Sequence, residues 1–113
     1  MEHLNKIELQ GVVGSVRTDK VGDKLHAHFT VATNYLYKTA DGNAVCETTW
    51  HRVSAFEGEK ITADTLNTIK DEYNKNYVHV RVVGRLRQKR YTDEFGNDAS
   101  TYEVFANEVE LID

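Results

Sequence analysis

The sequence contains no proline, one cysteine and no long apolar run. A chain of 113 residues would carry about five or six prolines at average usage. Without them, and without a Gly/Ser-rich or low-complexity stretch, there is no sign of a linker or flexible tail. The lone Cys46 excludes an internal disulfide and fits a reducing cytosol. No window approaches the roughly 18 apolar residues that a membrane-spanning helix needs. The N-terminus, MEHLNKIELQ, lacks the basic and apolar regions of a signal peptide. These absences point to one cytoplasmic domain over residues 1–113, with no internal repeat.

Positive charge is also scarce, with 14 Lys plus Arg against 18 Asp plus Glu. Yet Arg81, Arg85, Arg87, Lys89 and Arg90 fall within ten consecutive residues that contain no acid. Outside that decapeptide, 9 basic residues face 18 acidic ones. An acidic protein that gathers its cations into one short run has a use for them there.

Alternation of apolar and polar residues marks strands at 6–17, 25–34, 47–56, 77–91 and 100–112. In the first, Ile7 and Leu9 are followed by Val12, a change of phase beside Gly11 that predicts a β-bulge. VGDK supplies a hairpin turn, and residues 35–46 read as a loop with Asp41-Gly42-Asn43 at its tip. From Thr62, Leu66, Ile69 and Tyr73 form a helical stripe, with Thr62 or Asp64 as its cap. Five strands with one helix between the third and fourth predict a mainly-β OB-fold, a five-stranded Greek-key barrel. An α+β sandwich has the same order of elements.

Side chains on a strand alternate between faces. Val78, Val80, Val82 and Leu86 therefore share one side of the fourth strand, and Arg81, Arg85, Arg87, Lys89 and Tyr91 the other. Crowded like charges repel unless an anion neutralises them, or unless they guard a solvated edge against aggregation. On the third strand Trp50, Arg52, Ser54 and Phe56 share a face opposite Val53 and Ala55. A strand tryptophan is usually core; next to Tyr37, Tyr91 and the basic run, Trp50 suits a surface that stacks bases and tracks phosphates with little sequence preference.

The segments NKIELQGVVGSVR, FTVAT, TTWHRVSAFEGEKI, VVGRLRQKRYTDEFGN and TYEVFANEVELI resemble the bacterial single-stranded DNA-binding protein family, in that family's order and over nearly the whole chain. The resemblance implies an OB-fold that assembles as a homotetramer, with a dimer as the alternative, and binds single-stranded DNA in replication, recombination and repair. It places stacking aromatics at Tyr37, Trp50, Phe56 and Tyr91, where Tyr37 and Tyr91 stand in place of the family's usual Trp. Basic contacts fall on Arg52, Arg85, Arg87, Lys89 and Arg90. Lys60–Asn76 is longer and more polar than the family's helix region. The sequence ends at Leu111-Ile112-Asp113 without the acidic-tipped tail through which the family recruits replication proteins; it reads either as a tailless relative or as a core fragment, and no such recruitment is expected of these residues. A primosomal or RNA-binding OB module and a protein-interaction domain are the alternative functions.

Other chemistry finds little support. His26 and His28 place two imidazoles on one strand face and His51 follows Trp50, but zinc needs at least a third protein ligand. No Cys/His cluster supplies it, so neither metal nor cofactor is expected. Ser15 and Ser54 lack a Ser/His/Asp context, and there is no phosphate-cradling Gly-rich loop. No enzyme is expected.

Overall fold

A computed structural model describes residues 1–112; the predicted domain's last residue, Asp113, lies outside the described residues. The elements run β1 (Ile7–Val21), β2 (Lys24–Lys38), β3 (Ala44–Phe56), α1 (Ala63–Glu72), β4 (His79–Thr92) and β5 (Asp98–Ile112). The strands close into a barrel in the order β1-β2-β3-β5-β4, which is the predicted OB-fold. All neighbours are antiparallel except β3 and β5, whose parallel ladder holds only Val53↔Val104 and Ser54↔Phe105. Within the barrel β4 is paired on both sides, with β1 as far as Gly84 and with β5 throughout, so Arg81 lies between two strands; from Arg85 onward β5 is the strand partner of the basic run.

The core follows the alternation. Leu9, Val13, Leu25, Ala27, Phe29, Val31, Val53, Ala55, Val80, Val82, Val104 and Val109 point inward and are buried. Helix α1 adds Leu66 and Ile69, both fully buried, and half-buried Tyr73 packs against them. Its start is set by Thr62, whose Oγ1 accepts a hydrogen bond from the Thr65 amide at 3.1 Å.

Two sequence expectations are corrected. Val12 remains in phase with β4, and the register of β1 against β2 slips later, between Val13 and Val16. The bulge therefore sits at Gly14-Ser15, not beside Gly11. Residues 35–46 are not a loop: β2 and β3 stay paired from His26↔Phe56 to Lys38↔Ala44, and only residues 39–43 turn. This ribbon runs beyond the barrel, so neither of its faces is buried and the apolar/polar alternation that marks a strand fades there. The β4–β5 hairpin likewise stays paired out to Thr92↔Asp98.

Candidate nucleic-acid interface

Cross-strand partners point to the same side of a sheet. His26 faces Phe56 and His28 faces Ser54 across β2–β3; Arg85, Arg87 and Lys89 face Phe105, Glu103 and Thr101 across β4–β5. Arg17 and Asp19 face His28 and His26 across β1–β2. Joined through Ser54↔Phe105, these rows form one continuous outer face across all five strands. It carries Trp50, Arg52, Phe56, Arg85, Arg87, Lys89 and Tyr91 together, backed by the inward valines.

Trp50 stands out from the core on this face and is 60% exposed. Its six-membered ring occupies the space that a side chain on Gly14 would need, so the bulge in β1 is the seat of the indole. Small Ala32, the β2 partner of Trp50, lets the ring reach across β2. Tyr91 is also exposed.

Phe56 is differently placed. One ring face is covered by the His26 imidazole, at 3.7 Å between centroids and an interplanar angle of 7°. Phe105 lies 5.9 Å away, and the guanidinium carbons of Arg85 and Arg87 sit over it at 4.7 and 4.5 Å. Phe56 and Phe105 thus hold an imidazole and two guanidinium groups flat against the barrel. Phe105, His26 and His28 complete this surface, although the run of charges and aromatics does not point to them. Phe105 has a signal in the sequence, since the alternation of β5 puts it opposite Val104 and Ala106.

The cations are less free than the charge run suggests. Glu103, only 8% exposed, pairs with Arg87, and Lys89 Nζ lies 3.8 Å from its other oxygen. Arg52 donates to Thr101 Oγ1 and, at 3.5 Å, to the Tyr102 carbonyl, tying β3 to β5 beside their short ladder. Arg81 serves elsewhere: Glu8, Glu108 and Glu110 surround it at 3.1–3.6 Å. Even so, around the aromatics Arg17, Arg52, Arg85, Arg87 and Lys89 outnumber Asp19 and Glu103, so this part of the outer face is positive on an acidic protein.

Two expected residues fall outside the cluster. Arg90 pairs with Ser100 in the opposite phase to Arg85, Arg87 and Lys89, so it projects from the other face of the β4–β5 hairpin. Tyr37 lies in the phase of Phe29 and Val31, on the face of the β2–β3 ribbon opposite Trp50, where Tyr35 is 5.9 Å from it. A cavity of about 410 Å³ opens in the positive face, lined by residues that include Ser15, Arg17, His28, Thr30, Arg52 and Glu103. Desolvation by the surrounding fold pushes the pKa of both His26 and His28 down; the mutual proximity of the rings adds to this at His26, and Arg17 adds to it at His28.

Residues 4–112 match the single-strand binding protein family. The chain belongs to that family. It is 34% identical to Single-stranded DNA-binding protein 1 of Xylella fastidiosa, over 99% of this chain and 79% of that protein. The single-stranded DNA-binding protein of Xanthomonas axonopodis pv. citri is 31% identical and that of Neisseria meningitidis 28%. Each match covers 96% of this chain, which spans 58% and 60% of those two relatives. Among solved structures, the fold resembles the SSB of Plasmodium falciparum in its complex with ssDNA, with a TM-score of 0.73, 24% identity, and coverage of 99% of this chain and 96% of that one. No helix among the described residues is long and apolar enough to cross a membrane.

Proposed function

We propose that this chain binds single-stranded DNA without sequence preference, in the cytoplasm and without catalysis, in the replication, recombination and repair that such binding serves. The observation that carries this reading is the single outer face on which Trp50 and Tyr91 stand exposed beside Arg85, Arg87, Lys89 and Arg52. An unpaired base offers a flat π-face to an indole or phenol, and stacking of this kind is worth about 1–3 kcal/mol per base. The guanidinium and ammonium groups between the rings neutralise the phosphates that join successive bases. Phe56 and Phe105 act from beneath, fixing His26, Arg85 and Arg87 as a rigid floor. Neither device reads a base edge, so sequence has little leverage on affinity.

Family membership and the names of the relatives favour DNA, and the fold suits a homotetramer, with a dimer as the alternative. Fluorescence titration with oligo-dT, oligo-U and a duplex tests the reading. Tight binding to oligo-dT, weaker binding to oligo-U and little to the duplex is the expected order. A preference for oligo-U would assign the face to RNA. No binding to any of the three would make it a protein-interaction surface.

A further inference from the structure

The third ligand that the sequence did not reveal comes from the neighbouring strand. The register of the β1–β2 hairpin sets Asp19 directly opposite His26, and His28 follows on the same face. One donor atom from each of Asp19, His26 and His28 lies within 4.8 Å of the other two. The Asp19 Oδ1–His26 Nδ1 separation is 3.5 Å. Zinc bonds of about 2.0–2.1 Å at tetrahedral angles put two ligand atoms about 3.4 Å apart, so this pair needs little movement.

We propose that Asp19, His26 and His28 form a site for one divalent cation of the zinc class. The orientation of His26 is already that of a metal ligand. Its Nε2 lies 2.7 Å from Ser54 Oγ and its ring is stacked on Phe56, so both tilt and rotation are fixed. In the tautomer that donates Nε2–H to Ser54, Nδ1 offers its lone pair on the side of the Asp19 carboxylate. Hydrogen bonding of the second ring nitrogen is the usual support of a metal-bound imidazole. Burial disfavours the protonated form of both imidazoles, and the neutral form is the one that coordinates.

The neighbouring charges divide. Arg17 on β1 and Lys89 on β4 oppose a cation, while Glu103 on β5 and Asp19 itself favour one. Two imidazoles with a single carboxylate select Zn²⁺, Co²⁺, Ni²⁺ or Cu²⁺ over Mg²⁺ or Ca²⁺, which prefer all-oxygen shells. Three protein ligands leave a fourth position open.

The test uses the protein alone, titrated with Zn²⁺ or Co²⁺ in a non-chelating buffer. One equivalent of Co²⁺ per chain should give the visible absorption of a four- or five-coordinate ion, unaffected by millimolar Mg²⁺. In nitrogen-detected imidazole spectra, Zn²⁺ should shift His26 and His28 and leave His3, His51 and His79 in place. Asp19→Asn, at an exposed position, should weaken Zn²⁺ binding by roughly tenfold or more. Zinc affinity in Asp19→Asn and His28→Gln equal to that of the unsubstituted protein, or zinc shifts confined to His3 or His79, would overturn the assignment.

Discussion

At Trp50, exposure and immobility coexist because a glycine two strands away makes room for the ring. Its indole rests where a Gly14 side chain would stand, with its remaining surface open to solvent. Trp50→Ala should therefore weaken oligo-dT binding by about 1–3 kcal/mol. As a surface change, it should shift stability by no more than about 0.5 kcal/mol. Gly14→Ala should also weaken binding, by lifting the ring from its seat, although residue 14 itself offers a base nothing to stack on. Quenching of Trp50 fluorescence by oligo-dT, read beside thermal melts of both variants, checks this; a variant that melts normally and binds normally would contradict it. Strand parity alone places Trp50 outside the core. The part played by Gly14 is hidden, because a sequence does not show which residues meet across β2.

The strand β4 carries the charge run, but its neighbours decide what each charge does. Arg81 is surrounded by Glu8, Glu108 and Glu110, whereas Arg85 is stacked on Phe105 with no carboxylate partner among the described residues. Lys89 is held loosely, 3.8 Å from Glu103. The double substitution Arg85→Gln/Lys89→Gln should flatten the log–log salt dependence of oligo-dT binding by about 1.4 units, at about 0.7 for each phosphate left without its cation. Affinity measured across a salt series checks this, and an unchanged slope would mean that these cations do not meet phosphate. The charge run and its face are legible from spacing; Glu103 as a partner of Arg87 is not, because that pairing depends on the β4–β5 register. The long hairpin ribbons escape the sequence for a related reason: outside the barrel neither face is buried, so alternation loses its cause.

For the whole molecule, two bulk properties follow. With its pKa lowered by burial, each of His26 and His28 takes up a proton more readily in the unfolded chain than in the fold. Stability should be full above the unfolded value near pH 6.5 and should fall as pH drops below it. Melting temperature followed from pH 7.5 to 5.5 should decline, and should decline less in a His26→Gln/His28→Gln variant. Assembly is the second property. Sedimentation at micromolar concentration should give a species of about four times the 12.9 kDa chain mass, with a dimer as the alternative, and a monomer alone would refute it.

The short parallel seam between β3 and β5 has a consequence in time. Two rungs close the barrel there, joining residues about fifty positions apart, while the β2–β3 and β4–β5 ribbons form between close neighbours. Hairpins zip within microseconds, whereas joining distant segments must first overcome the entropy of a long loop. With two rungs against the six between β1 and β4, the seam should be the first place where the native barrel breathes. It also lies directly under Phe56 and Phe105. A polymer laid across that floor spans both sides of the seam, so it acts as a splint: whatever holds the strand also holds the barrel shut.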